Sequence, residues 1–145
     1  MMNMAKIAIA TVSFLPAAAL AAPPQMEPGL WQRTMTLQGR TISHQDCVTP
    51  EMVKQGVEKM MEARKGNEEM EKKCTHSGSW SGNVYSFSSE CNLGEKVGVM
   101  KMSGTMTFDG PEHFTQVMHS TSMIQGQPHR TDMTIDHKRI GDCTK

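Results

Sequence analysis

Apolar and polar residues alternate along most of this chain, and the period of the alternation changes once. Leu30 to Gln38 alternates with period two: Trp31, Met35 and Leu37 share one face, and Thr34, Thr36 and Gln38 the other. That is the pattern of a half-buried strand. Arg33 breaks it, placing a charge on the apolar face. Gly39-Arg40 offers a tight turn, and Thr41 to Val48 reads as a second strand. The period then lengthens. Thr49 can cap free amides, Pro50 suits the first helical position and Glu51 suits the positive end of the dipole. Val53, Val57, Met60, Met61 and Arg64 follow the i, i+4, i+7, i+8 stripe of an amphipathic helix. A helix over 50–65 is predicted, stopped by Gly66-Asn67. Gly56 inside it weakens it by up to about 1 kcal/mol relative to alanine. A charged connector runs on to Lys73.

After Cys74 the period returns to two. Cys74 to Trp80 and Tyr85 to Cys91 flank Ser81-Gly82-Asn83-Val84. With Gly82-Asn83 as a two-residue turn, Trp80 faces Tyr85, Gly78 faces Phe87, His76 faces Ser89 and Cys74 faces Cys91. All eight point to one face, which makes His76 a candidate hydrogen-bonded core histidine. Counting from the turn, Cys74 and Cys91 form a non-hydrogen-bonded pair. Such pairs approach to about 4.5 Å between Cα atoms, just inside the range a disulfide tolerates. Further strands follow at Val97 to Phe108, with Met100, Met102, Met106 and Phe108 on one face, at His113 to Ile124, and at Thr131 to Ile140, which carries Met133 and Ile135. Asp109-Gly110-Pro111 and Gly126-Gln127-Pro128 turn the chain between them. The expectation is a mainly β (α+β) fold. About seven strands form an antiparallel meander, a curved sheet or open barrel, with one helix after the second strand.

The amino terminus has a different composition. Lys6 precedes an apolar run from Ile7 to Leu15, Pro16 ends it, and Ala19-Leu20-Ala21 fits the small-residue cleavage rule. The run is too short to span a membrane, which takes about 20 apolar residues. Residues 1–21 are therefore expected to be a cleavable signal peptide and 22–145 a single β-rich domain, periplasmic or secreted and with no transmembrane segment. Loss of Lys6 leaves 14 basic and 15 acidic residues, a net charge of −1. A nearly neutral chain has no electrostatic reason to bind nucleic acid or anionic lipid.

An exported domain with four cysteines, at 47, 74, 91 and 143, should carry two disulfides. Cys74–Cys91 with Cys47–Cys143 is one pairing. Cys47–Cys74 with Cys91–Cys143 is the competitor. The spacing does not resemble the close pairs of a structural zinc site.

Fifteen methionines are the compositional oddity. They can fill a core short of aromatics, make a pliable surface for a greasy ligand, or bind Cu(I), for which Met100-x-Met102 would be a ligand pair. No catalytic constellation is present. Gly78-Ser-Trp-Ser-Gly82 has Trp80 where a hydrolase elbow needs serine. His113 and His119 lie about 20 Å apart at strand rise and cannot share an ion unaided. No cofactor is implied. The expected function is a non-enzymatic binding or accessory domain for an apolar or amphipathic small molecule. Trp31, Trp80, Tyr85, Phe87, Met100, Met102 and Met106 are the candidate contacts. Methionine-based copper binding and a protein-interaction module for an envelope protein are the alternatives.

Pro28-Gly29-Leu30-Trp31, Cys47-Val48-Thr49-Pro50-Glu51, Gly104-Thr105-Met106-Thr107 and the closing Arg139-Ile140-Gly141-Asp142-Cys143 occur in the order seen in a known group. The chain resembles the bacterial exported proteins of domain-of-unknown-function family 3617. The resemblance implies a methionine-rich β domain of the proteobacterial envelope. It carries no activity, substrate or catalytic residue with it.

Overall fold

The computed structural model describes residues 22–37, 39–62 and 68–144. The leader assigned to residues 1–21, Gln38, Arg64 and the helix stop at Gly66-Asn67 lie outside the described residues. The chain forms β1 (Gly29–Leu37), β2 (Arg40–Val48), α1 (Pro50–Glu62), α2 (Glu68–Glu71), β3 (Cys74–Ser81), β4 (Val84–Asn92), β5 (Val99–Gly110), β6 (His113–Ile124) and β7 (Gln127–Gly141). All seven strands join one open antiparallel sheet in the order β2-β1-β7-β6-β5-β4-β3.

The order explains the helix. Strands β3 to β7 run as a meander, and the β1–β2 hairpin docks with β1 against β7. Two strands consecutive in sequence, β2 and β3, therefore lie on opposite edges. The chain between them must cross a face of the sheet, and it carries α1 across that face. Val57 joins the buried core, and Val53 and Met60 pack against it. Of the stripe read from the sequence, Val53, Val57 and Met60 thus face the core, and the side chain of Met61 lies outside the described ones. One feature differs from expectation: α1 is interrupted at Gly56, whose φ of 83° and ψ of 166° are not helical. Glycine reaches that conformation without a Cβ clash, so the segment folds as two short helical halves. The charged connector also contains a helical turn, α2, which periodicity did not predict.

The face beneath α1 holds the core: Trp31, Val48, Tyr85, Phe87, Met106, Phe108 and Phe114, with Met26 from the lead-in and Val57 from the helix. Among the described residues the aromatic rings form one continuous series. Trp31 meets Phe114 at 5.7 Å, Phe114 stacks on Phe108 at 4.8 Å, Phe108 meets Trp80 at 5.6 Å, Trp80 meets Tyr85 at 5.2 Å and Tyr85 stacks on Phe87 at 6.4 Å. Tilted and offset pairs at these separations suit the ring quadrupoles. The opposite face is hydroxyl-rich. Ser77 and Ser88 hydrogen-bond across β3–β4 at 2.7 Å, and Thr34 with Ser43 and Thr36 with Thr41 do so across β1–β2 at 3.5 Å.

The β3–β4 hairpin has the expected register, from Ser81 opposite Val84 to Cys74 opposite Cys91. Cys74 and Cys91 stand at disulfide distance with Cα atoms 4.0 Å apart, and Cys47 and Cys143 with Cα atoms 5.5 Å apart. His76 needs correction. It shares the inner face by register, but it is exposed and bonds Glu71 at 3.0 Å. It lies on the edge strand β3, outside the buried core, where Glu71 of α2 is its side-chain partner. Strand β7 begins at Gln127 rather than Thr131, and the turn is Gln125-Gly126. Pro128 sits inside this strand because β1 pairs with β7 only from Thr134 onward. Before that point one side of β7 is a free edge, where a missing N–H costs nothing.

Candidate functional site

Two hollows flank α1 on the inner face. Their walls begin with the lead-in before β1. Trp31 Nε1 donates to the Glu27 carbonyl at 3.0 Å, the Glu27 amide donates to Pro111 O at 2.8 Å, and Arg139 Nε donates to Pro28 O at 2.9 Å. These bonds lay the lead-in along the sheet end and turn Met26 into the core.

The larger hollow, of about 480 Å3, opens where β1, β2, β6 and β7 meet α1. Its apolar walls are Met26, Trp31, Val48, Met52, Met60 and Phe114, and its polar wall is Arg33, Asp46 and His137. A volume of this size falls within the range of about 300–1,000 Å3 typical of small-molecule sites. The polar wall is ordered. Arg33 Nη2 bonds Asp46 at 2.6 Å, and His44 Nε2 bonds the other Asp46 oxygen at 3.1 Å. His137 is buried, stacks on Phe114 at 4.1 Å and donates through Nε2 to Gln116 Oε1 at 3.2 Å. The Gln116 amide donates onward to Met118 Sδ at 3.0 Å. The smaller hollow, of about 240 Å3, lies between the lead-in, α1 and Trp80. Trp80 Nε1 donates to Glu58 Oε1 at 2.6 Å and ties the second half of α1 to the sheet.

The seven residues singled out from the sequence do not converge on one hollow. Trp31 lines the larger and Trp80 the smaller. Tyr85, Phe87 and Met106 are buried in the core between. Met100 and Met102 are half-buried at the far end of the sheet, Met100 opposite Cys91 and Met102 opposite Ser89. The larger hollow recruits Phe114 and His137, which sequence reasoning did not select. They meet Trp31 and Arg33 because β7 separates β1 from β6, a pairing with no local signature. Arg33, the one charge on the apolar face of β1, was the available signal.

On the outer face a third depression, of about 420 Å3, is lined by serine and threonine hydroxyls with Glu90, Lys101 and His119. Charge there is locally balanced: Lys101 bonds Glu90 at 3.2 Å, and His119 bonds Asp132 at 2.6 Å. On the same face His113 offers Nδ1 to Asp109 at 2.9 Å and Nε2 to Asp136 at 2.7 Å. Ionised carboxylates only accept, so both contacts are satisfied together in the imidazolium form of the ring. The Asp136 hydrogen bond raises the His113 pKa above its ordinary value; partial burial opposes it, and both carboxylate charges add to the rise. Among the described residues no three His, Cys, Asp or Glu side chains group as a metal-ligand set, and no helix is long and apolar enough to cross a membrane.

An open antiparallel sheet, clamped by two cysteine pairs and packed on one face by a short broken helix, defines a class of mainly β domain with a hollow beneath the helix. The chain belongs to the family described as protein of unknown function, DUF3617, whose model matches residues 26–143. No curated protein and no solved structure matches the chain.

Proposed function

We propose that this is an exported, periplasmic, non-enzymatic binding domain that holds an apolar or amphipathic small molecule between α1 and the inner face of the sheet. The observation that carries the reading is the larger hollow, with aromatic and methionine walls and a short polar wall. Methionine side chains adapt to the shape of a greasy guest, and the break at Gly56 lets the two halves of α1 adjust separately. Two cysteine pairs suit an oxidising compartment. Residues 1–21 would be the leader that delivers the chain there. Trp31 makes the reading testable. Its fluorescence should shift on titration with single-chain lipids and saturate at one equivalent. A flat response across such a panel, together with a bare mass in native mass spectrometry of protein purified from the periplasm, would count against it.

A further inference from the structure

Arg33, which lines the larger hollow, carries a buried polar atom that the fold leaves without a partner. Arg33 lies in register between His44 of β2 and His137 of β7. Asp46 takes its Nη2, but Arg33 Nε is buried and finds no acceptor among the described residues. The second Asp46 oxygen bonds His44 and Gln116 Oε1 accepts from His137, and neither oxygen serves Arg33 Nε. A buried donor of a cationic group left unsatisfied is costly, more so in a low-dielectric wall. The Arg33 side chain is partly exposed at the hollow, so a small rotation of the guanidinium would present Nε to an acceptor there, which would remove that cost and gain a charge-assisted bond. It would also bring whatever is attached to it against the apolar wall.

We propose that the hollow takes an acyl-chain amphiphile, whose head-group oxygen accepts from Arg33 Nε while its chain lies on Trp31, Phe114 and the methionines of the lead-in and α1. This rests on the apolar-ligand reading and specifies the head that the site selects. A free carboxylate and an ester carbonyl both supply the required oxygen. Asp46 separates them, because its charge lies on the same guanidinium and disfavours a second anion.

The test is isothermal titration of the intact mature domain, below micelle concentrations, with dodecanoate, methyl dodecanoate and dodecyltrimethylammonium, the last a chain-matched ligand without oxygen. The acyl ligands should bind the native protein about tenfold or more tightly than the oxygen-free one, the size expected for a hydrogen bond to a charged group. Arg33→Met should erase that preference. Asp46→Asn should tighten dodecanoate and leave the ester unchanged, because the repelling charge is gone, and an unchanged dodecanoate affinity would place the head away from the Arg33–Asp46 pair and overturn the assignment. The native protein's own ranking of dodecanoate against methyl dodecanoate then assigns the head, tighter ester binding being the expected result. Equal binding of all three ligands by the native protein, or an acyl preference that survives Arg33→Met, overturns the head-group assignment while the apolar-ligand reading stands. If no ligand binds any variant, both fall. Should Arg33→Met fail to fold by near-ultraviolet circular dichroism, the native preference and the Asp46→Asn arm still decide.

Discussion

Gly104 on β5 faces Phe87 across the β4–β5 pair, and Gly78 faces Phe87 from the other side. A Cβ on Gly104 would come within 2.8 Å of Phe87 Cζ and fall on the Val117 carbonyl oxygen of β6. The ring fills the space the missing side chain leaves, and the β6 backbone cannot retreat without losing its ladder. Gly104→Ala should therefore lower stability by about 1–3 kcal/mol, as overpacking does, read as a lower urea midpoint with unchanged slope. His113 gives a pH-dependent prediction. Its folded pKa is raised by Asp136 first and by Asp109, so its stabilising contribution is full below the unfolded value. It is lost as pH rises through the folded one. His113→Gln should cost most near pH 5.5 and least at pH 9. The side chain is 36% exposed, so the effect stays within the range of about 0–1 kcal/mol seen for surface pairs. A penalty that grows with pH would contradict the assignment. The same residue-level logic made Arg33 conspicuous in the sequence, although only the structure shows that its Nε is orphaned.

At the scale of elements the helix gives the sharpest test. In a continuous helix Gly56→Ala would stabilise by up to about 1 kcal/mol. Here Gly56 has φ of 83°, and a Cβ would meet Glu58 Oε2 at 2.9 Å. Glu58 in turn anchors Trp80. The substitution should therefore destabilise, and thermal unfolding should show a lower midpoint with a change in Trp80 emission. A raised midpoint would mean that the two halves fuse into one helix. Helix existence and its buried stripe were legible from Val53, Val57 and Met60. The break was not, because glycine is compatible with a weak helix and with a kink, and propensity cannot choose between them. The β3–β4 hairpin was legible residue by residue, since a two-residue turn fixes register throughout.

Over the whole molecule, the two cysteine pairs constrain different lengths of chain. Cys74–Cys91 ties neighbouring strands across a sequence separation of 17, whereas Cys47–Cys143 links the end of β2 to the chain after β7 across 96. By the chain-entropy model, closing a loop of 15 residues is worth about 3 kcal/mol and one of 100 residues about 4.7. Paired Cys-to-Ser variants should rank in that order in equilibrium unfolding, with loss of Cys47–Cys143 the more damaging. It also holds the β1–β2 hairpin against β7, and with it the walls of the larger hollow. The double Cys47/Cys143 variant should therefore lose ligand-induced Trp31 quenching before the Cys74/Cys91 variant does. The reverse order would separate the clamp from the site.

Alternation of apolar and polar residues determined the strands, the hydroxyl-rich face and the hairpin register, because these follow from a two-residue period and from turns that act over a few positions. The sequence also determined that a helix with one apolar stripe follows the second strand. Tertiary structure alone decided that β1 lies beside β7, that β2 and β3 therefore end on opposite edges, and that α1 must cross the sheet between them. Those pairings join segments about a hundred residues apart, such as Trp31 and Arg139. Their free energy comes from burying a shared face, which no local pattern encodes. The hollow beneath the helix, the meeting of Trp31 with Phe114 and the unpartnered Nε of Arg33 are consequences of that crossing.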